Sequence, residues 1–466
     1  MKEQKNSLIY NQIDFVIKAP RFHITFSYSD DKRLSFVREY FLRLLVLCPC
    51  RPEQIATYFE FSQYETENAL NDLANRNWIE YLADGNIGLT TAGKKLFKYS
   101  STEPRLVDLR TEEIEMYMEL LNENFIEKKY TSDKKNAINL NIPSNILAFS
   151  SKYAEHNFQQ QFIELKEEGK IKLLNNNGQL YKIDGIEVLS HKYFRFTQFF
   201  SLDKHTGNQL FRNDIQHVNH SEKIVQQVTD TLEKYKRTNN LKELIKSMND
   251  LEDSETLTII TPNFNFEQFN TIKQKSLQKN YFVGQTYHQK IIHEHLMESL
   301  EKLRKNIPQS PKKLFWLGVE NIYWGAQQKC LDQIVSFNQN EFYNINKQKH
   351  HLYDFRLYLP LEKSKLKNTK RFWLSYNDNS NVKNSIYAFK DGFLNDNTEI
   401  IVLEDHFAVV CYHAQLDHYD VTLPIGFTTQ QPEKVKQIFQ LVQSYLNEPI
   451  FDKDESSTTK DFGKIF

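Results

Sequence analysis

A run of basic and aromatic side chains between Lys347 and Arg371 has the composition and spacing to hold a nucleic-acid backbone. Eight cations face two acids there, in a chain whose overall formal charge is −1. Cations neutralise phosphates, and interleaved aromatic rings can stack on bases. A solvated lysine loop between two strands fits the pattern equally well, and the sequence leaves both interpretations open. The cations are Lys347, Lys349, Arg356, Lys363, Lys365, Lys367, Lys370 and Arg371.

A second pattern with chemical potential begins at His288 and continues through Lys290. It resembles the start of the H-x-K-x-x-x-x-D motif of phospholipase D-like hydrolases and nucleases. The resemblance implies a histidine that attacks phosphorus and a lysine that holds phosphate oxygens. Here the final position is His295 instead of aspartate, and the pattern occurs once, whereas a working site needs two copies. We therefore assign no catalytic residue from the sequence and treat a degenerate phosphodiesterase as an alternative.

Cysteine is sparse, and its spacing predicts neither zinc nor any other cofactor. Cys48 and Cys50 form a close pair without a partner pair, and Cys330 and Cys411 stand alone. Such usage is typical of a reducing cytoplasm. No apolar run long enough to span a membrane and no signal-peptide core is found in the sequence, so we expect a cytoplasmic protein without a membrane partner.

The stretch 34–98 has the strongest local signals for secondary structure. An apolar helix over 34–47 precedes Pro52, which suits the first turn of a new helix. Ser62 and Glu65 have the spacing of a capping box, and they open a third helix with Leu70 and Leu73 on one face. Two short strands then follow around a predicted turn at residues 84–85, and a last short helix begins near residue 91.

This order resembles the winged helix-turn-helix domains of prokaryotic regulators, in which the second helix of the motif enters the DNA major groove. The resemblance implies that Arg76, Lys94 and Lys95 contact nucleic acid and that Asn68, Asn71 and Asn75 read adenine edges. The same helix carries three acids, which oppose phosphate binding. We therefore also predict that this helix docks on a protein partner or on a second copy of the chain. The acids are Glu65, Glu67 and Asp72.

Between residues 100 and 250 the sequence predicts an acidic amphipathic helix over 111–127, another helix over 158–166, and a hairpin around residues 175–178. A long strand over 192–202 and a return strand over 210–218 complete a β-rich block. This block resembles the WYL domain, a small barrel that often follows a winged helix. The resemblance implies a ligand site that includes Tyr193 and Arg195, although Asp214 stands where that family commonly has an arginine.

The remaining chain predicts alternating strands and helices, beginning with a strand over 257–261. The fold class is therefore multidomain α+β, with an N-terminal winged helix-turn-helix, a central β-rich block and a C-terminal α/β layer domain. The predicted boundaries are 1–100, a helical connector at 101–165, the block with its bridging helices at 166–250, the α/β domain at 256–450, and a mobile tail at 451–466.

Together these patterns favour a bacterial protein that associates with DNA or RNA and acts by binding. It would serve as a regulator or as a subunit of a larger complex, such as one used in phage defence. A nuclease with a degenerate phospholipase D-like domain and a protein-binding scaffold are the two alternatives.

Overall fold

The protein is described by a computed structural model that shows a mixture of helices and strands arranged in several sheets. The described residues are 6–32, 34–98, 100, 102–173, 178–210, 221–236, 238–345, 347–361, 382, 384–450 and 458–465.

The chain begins with a single long strand, β1, at Ser7–Lys32. The sequence predicts short strands at 14–17 and 23–26 on either side of Pro20; both are strand, but they belong to this one continuous element. Alternate side chains such as Phe22, Ile24 and Phe26 are buried, which is the pattern of one strand with one buried face. Pro20 lies one residue before this strand begins to pair with the strand at Leu106–Glu119, a position at which the missing N–H of proline costs little.

β1 is the centre of the first sheet, whose strands come from distant parts of the chain. The other strands are β4 at Leu106–Glu119, β5 at Asn124–Ile126, β6 at Thr131–Ser132, β7 at Ile138–Asn139 and β8 at Gln179–Asp203. The order is β5-β4-β1-β8-β6, and β7 pairs with β1. This sheet therefore draws strands from the ranges 1–100, 101–165 and 166–250, which the sequence assigns to three separate domains.

Two of the sequence's secondary-structure predictions for this region are wrong, and a third lies almost entirely outside the described residues. The expected acidic helix at 111–127 is β4 and β5, because Glu113 and Glu115 alternate with Ile114 and Met116 across the two faces of a strand. The expected hairpin around residues 175–178 is not found in the described residues that flank this turn. The strand that follows it, β8, pairs with β1 instead. The expected return strand at 210–218 lies almost entirely outside the described residues.

A compact group of helices and two short strands, residues 34–98, connects β1 to β4, and we call it the helical insert. Its elements follow the predicted order: α1 at Phe36–Leu47, α2 at Pro52–Phe59, α3 at Gln63–Asn75, β2 at Ile79–Tyr81, β3 at Ile87–Leu89 and α4 at Thr91–Lys95. The insert has a hydrophobic core of its own, which includes Phe41, Ile55, Leu70 and Leu73. Residues 7–32, which the sequence predicts either to extend this unit or to pair with a distant sheet, belong to the first sheet.

Two helices lie between strands β7 and β8 of the first sheet: α5 at Ser144–Ala148 and α6 at Ser150–Glu167. Four more separate the two large sheets in sequence: α7 at Glu222–Lys234, α8 at Leu241–Asp250, α9 at Ser254–Ile260 and α10 at Phe266–Lys275. Phe158 and Phe162 of α6 pack on Phe26 of β1, with ring centroids 5.2 and 5.6 Å apart. The predicted strand at 257–261 is wrong: Asp253 caps the first turn of α9, and this local signal prevails over the β-branched residues that follow.

The second sheet has eight strands in the order β18-β14-β13-β10-β15-β16-β17-β9. Three neighbouring strands, β14, β13 and β10, run parallel, and the other pairs are antiparallel. The strands are β9 at Lys279–Val283, β10 at Lys312–Leu317, β13 at Tyr353–Leu361, β14 at Ile386–Lys390, β15 at Thr398–Leu403, β16 at Phe407–Ala414, β17 at Leu423–Thr429 and β18 at Asp461–Lys464.

Both faces of this sheet are covered. The helices that follow or precede its strands are α11 at Lys290–Lys305, α12 at Gln328–Gln339 and α13 at Pro432–Asn447. Neighbouring residues of one strand therefore enter different cores: Phe315 packs in the larger cluster with α13, and Trp316 packs in the other with α11 and α12. The chain end, expected to be a mobile tail, supplies β18, and residues 451–457 lie outside the described residues.

A separate two-stranded hairpin follows α12. It consists of β11 at Phe342–Ile345 and β12 at Gln348–His351, with Phe342 paired to His351 and Ile345 to Gln348. Among the described residues, no helix has both the length and the apolar character needed to cross a bilayer.

Candidate nucleic-acid interface

The start of α3 is fixed by the predicted capping box, which the structure confirms. The Ser62 hydroxyl accepts a hydrogen bond from the Glu65 backbone N–H, and the Glu65 carboxylate accepts from the Ser62 N–H at 2.9 Å and from its hydroxyl at 2.7 Å. These bonds, the hydroxyl's first, lower the pKa of Glu65. The carboxylate is therefore engaged by its own helix terminus, where negative charge is favourable.

A second acid of α3, Asp72, is neutralised by two arginines. Arg38 of α1 donates to both carboxylate oxygens of Asp72, at 2.6 and 3.1 Å, and Arg76 donates at 3.2 Å. The hydrogen bond from Arg38 is the main reason that the pKa of Asp72 is lowered. Arg76, predicted to contact nucleic acid, is thus occupied by Asp72, and its guanidinium also lies 5.3 Å from the centre of the Trp78 ring.

The outward face of α3 carries a stripe of uncharged side chains, which we call the amide stripe. Its members, Tyr64, Asn68, Asn71 and Asn75, recur at intervals of four, three and four residues, and all are exposed. Leu70 and Leu73 on the opposite face are buried. No hydrogen bond joins the side chain of any stripe asparagine to another described residue. A carboxamide with free donors and acceptors is the group that pairs with the N6 and N7 atoms of adenine.

The third acid, Glu67, lies beside the amide stripe and accepts a hydrogen bond at 2.9 Å from the neutral side chain of Gln63. Like Glu65, it has no cationic partner among the described residues, but it lies beyond the first turn of α3, where the helix N-terminus no longer offsets its charge. Lys94 and Lys95, predicted nucleic-acid contacts, are exposed in the last turn of α4 and form no ion pair with another described residue. Their charges are therefore available to phosphates.

The basic stretch Lys347–Arg371 is divided by the structure. Lys347 and Lys349 lie exposed on the β11–β12 hairpin, where the Lys349 ammonium sits 3.7 Å from the centre of the Phe342 ring. The imidazole of His351 stacks on the same ring at 4.5 Å. Five predicted contacts lie outside the described residues: Lys363, Lys365, Lys367, Lys370 and Arg371.

Arg356, the remaining cation of that stretch, is held inside the fold. Its guanidinium bonds to Asp354 at 2.7 and 2.8 Å and lies 5.1 Å from the centre of the Tyr387 ring. The structure therefore leaves Lys347 and Lys349 as the exposed described cations of the stretch.

The weak ligand site predicted at Tyr193 and Arg195 lies on β8. Arg195 bonds to Asp14 at 2.8 Å and to the Ser132 hydroxyl at 3.1 Å, and it donates to three backbone carbonyls. Asp14 is buried and also accepts from Thr197 at 2.7 Å. Because its N–H donors are bonded to Asp14, Ser132 and backbone carbonyls, Arg195 connects β1 and β8 to the segment that follows β6. Tyr193 is half-buried opposite Ser132.

The residues of the phospholipase D-like pattern occupy different environments. His288 lies after β9, and its Nδ1 is 3.3 Å from the Lys329 ammonium; burial and then this ammonium lower its pKa to about 4. Lys290 is exposed at the start of α11. His295 is buried further along α11, with Nε2 bonded to Thr428 at 2.9 Å. His288 precedes α11, whereas His295 lies within it.

Sequence reasoning missed one polar cluster, which contains Glu399, Cys411 and His413. It is buried in the centre of the second sheet. Two signals could have revealed it: a glutamate within the otherwise apolar strand 398–403, and the alternation Cys411-x-His413, which places two donors on one face of a strand.

Comparison with known proteins provides no relative: no family, no curated protein and no solved structure matches this chain.

Proposed function

We propose that the helical insert is a winged helix-turn-helix and that the protein binds DNA through α3. In this assignment α3 is the reading helix, β2 and β3 form the wing, and the amide stripe faces the bases. The observation that carries the proposal is the stripe itself. Three asparagines stand on the outward face of the helix that such a unit inserts into the major groove, and no described residue occupies their amides.

The charge of α3 is compatible with this proposal. Asp72 is neutralised by Arg38 and Arg76, and the helix N-terminus partly offsets the charge of Glu65, so Glu67 is the acid of α3 that has no such compensation. Lys94 and Lys95 supply phosphate contacts from the same unit. Lys347 and Lys349 supply others from the second sheet's hairpin, beside the ring of Phe342, which is available for stacking on a base.

In this proposal the protein works by binding, as a regulator or as a subunit of a larger bacterial complex, with phage defence among the roles that such a subunit serves. The pattern that begins at His288 occurs once and ends on a buried histidine bonded to Thr428, which favours binding over hydrolysis. The four cysteines are unpaired thiols, as expected for a protein of the reducing cytoplasm.

The test measures binding of the full chain to a random-sequence duplex library and then to the sequences that the library enriches. Asn68→Ala and Asn71→Ala should each weaken binding to the enriched sequence by about 1–3 kcal/mol and should relax its preference for adenine. Asn145→Ala, an exposed asparagine of α5, is the matched control and should bind like the unaltered protein. Equal binding by all three variants would contradict the role of the stripe.

Phosphate anchoring is tested separately by charge reversal. Lys94→Glu with Lys95→Glu should weaken binding to every sequence and lower the slope of log affinity against log salt by about 0.9 per lost contact. The same change at Lys347 and Lys349 tests the hairpin. An unchanged slope in either pair would remove that pair from the interface.

A second candidate function, docking on another copy of the chain, is favoured by α1. Phe36 is 68% exposed and Leu47 80% exposed, and both lie on the outward face of α1 with Tyr40. Exposed apolar stripes of this kind usually mark interaction sites. Phe36→Glu with Leu47→Glu should convert a dimer to a monomer in light scattering, whereas Tyr58→Glu, at a 70% exposed position of α2, should not. A monomer before substitution would reject this function.

A further inference from the structure

The polar cluster in the second sheet lies on two central antiparallel strands. Glu399 of β15 is paired in register with Cys411 of β16, and His413 follows two residues later on the same face. Glu399 and Cys411 are fully buried, and His413 is 1% exposed. Every residue of both strands is buried, so each polar group here must be compensated within the protein.

The carboxylate of Glu399 is held from one side. Its Oε1 accepts hydrogen bonds from the Thr286 hydroxyl at 2.6 Å and from the indole N–H of Trp316 at 2.7 Å. Its Oε2 lies 3.0 Å from Nε2 of His413. Two donors therefore fix one oxygen and direct the other toward the imidazole and the thiol.

The charge of Glu399 has no lysine or arginine partner among the described residues, since the ion pair that it forms there is with His413. The opposite ring nitrogen of His413, Nδ1, is buried without a hydrogen-bond partner in the described part of the chain. A buried carboxylate beside a neutral thiol and a half-satisfied imidazole is costly unless a positive charge lies among them.

We propose that Glu399, Cys411 and His413 bind one divalent transition-metal ion of the zinc class. One ligand atom from each residue lies within 4.8 Å of the other two, and oxygen, nitrogen and sulfur donors together suit zinc. Thr286 and Trp316 act as the outer donors that orient the carboxylate, as is usual around a ligating group. Binding releases the thiol proton to solvent; the imidazole binds through the lone pair of one ring nitrogen and keeps its single proton on the other, and no oxidation is involved.

A metal at this position would have a structural role. The three ligands join β15 to β16 in the middle of the sheet and are closed to solvent, so the ion would enter as the chain folds. Trp316 and Thr286 extend the connection to β10 and to the segment after β9. The site is independent of the amide stripe, so it neither supports nor weakens the proposed DNA binding.

The test is the metal content of the full chain purified without chelators. Elemental analysis should find about one equivalent of metal in the unaltered protein and less than about a tenth in Cys411→Ser. Cys50→Ser, which removes a buried thiol of the helical insert, should retain the full equivalent. Absence of stoichiometric metal from the unaltered protein, both as purified and after refolding with zinc, would overturn the proposal.

A spectroscopic measurement decides the case even if Cys411→Ser fails to fold. The unaltered protein, refolded with cobalt(II) in place of zinc, should show a near-ultraviolet charge-transfer band from a thiolate ligand together with visible bands of a tetrahedral ion. The same bands should appear with Cys50→Ser. A spectrum without the thiolate band would exclude Cys411 as a ligand and overturn the assigned donor set.

Discussion

Arg38 and Asp72 form a bidentate ion pair that connects α1 to the middle of α3, with donor–acceptor distances of 2.6 and 3.1 Å. The pair lies beside the amide stripe, at the boundary between the outward face of α3 and its contact with α1. The sequence predicts that Asp72 repels phosphates or docks on a partner. In the structure its carboxylate instead joins two helices of the helical insert. Glu67 is then the acid of α3 whose charge neither a described cation nor the helix N-terminus offsets.

Glu67→Lys should therefore tighten DNA binding. The change removes the repulsive charge beside the amide stripe and adds a cation, so we expect about one more phosphate contact and a salt slope steeper by ~0.9. Fluorescence anisotropy at two salt concentrations measures both effects, and the gain should shrink as salt rises. Glu187→Lys, the same charge change at an exposed position of β8 outside the helical insert, is the control and should leave affinity nearly unchanged. Weaker DNA binding by Glu67→Lys would count against α3 as the reading helix.

Leu73→Ala should destabilise the helical insert by about 2–5 kcal/mol, because Leu73 is 1% exposed in the insert's own core and its loss leaves a cavity. Limited proteolysis and thermal melting report the loss. Asn71→Ala, two residues away on the exposed face, should melt like the unaltered protein. Equal melting of both variants would show that Leu73 contributes nothing to the core.

Arg195→Ala should destabilise the first sheet by about 3–5 kcal/mol, because the change leaves the buried Asp14 carboxylate without its cation. Lys192→Ala is the comparison: Lys192 pairs with Asp133 at 2.7 Å, but the ion pair is exposed and should contribute less than about 1 kcal/mol. If Arg195 served a ligand instead, its removal would leave the melting temperature unchanged and abolish stabilisation by added anions.

Glu119 should make stability depend on pH. Its carboxylate is buried at the end of β4, and burial raises its pKa to about 7 against an ordinary value of 4.5, although the N–H groups of Asn122 and Leu121 oppose the shift. Between these values the folded protein holds a proton that the unfolded chain has lost. Stability should therefore fall as pH rises from about 4.5 to 7, by on the order of 3 kcal/mol, and then level off.

The measurement compares melting temperatures of the unaltered protein and Glu119→Gln at pH 5 and pH 8. Glu119→Gln should melt close to the unaltered protein at pH 5, where Glu119 is protonated and one amide oxygen can accept from both N–H groups as Oε2 does, and it should lose less stability on moving to pH 8. Glu113→Gln, at an exposed position of β4, should follow the unaltered protein. Parallel pH profiles for the unaltered protein and Glu119→Gln would show that Glu119 does not titrate in this range.

The helical insert was predictable because its signals are local. The Ser62–Glu65 capping box and Pro52 at a helix start act within a few residues of the elements they define. The first sheet was not predictable in this way: Phe26 pairs with Glu112 on one side and with Ile183 on the other. Patterns within a few residues do not indicate pairing partners that lie so far away in the sequence. In addition, the glutamates and methionines of β4 are good helix formers in isolation.

The candidate site was predictable only in part, for the same reason. The asparagines of α3 could be placed on one face from their spacing, but the neutralisation of Asp72 depends on Arg38, which lies in another helix. Likewise, Arg195 looks available in the sequence, whereas the fold surrounds it with Asp14 and backbone carbonyls. Side-chain identity predicts what a group can bind, and only tertiary packing decides whether it is still free.

The insertion of residues 34–98 between β1 and β4 has a consequence for the order of folding. Lys32 is the last residue of β1 to pair, and its partner is Leu106, so the chain must close a long loop before these strands can meet. An insert that folds first brings its two ends together and replaces that flexible loop with a short, rigid connection. The local contacts of the insert would then form before those of the first sheet. We also expect that the whole insert could be replaced at the same junction by a tight turn that joins β1 to β4.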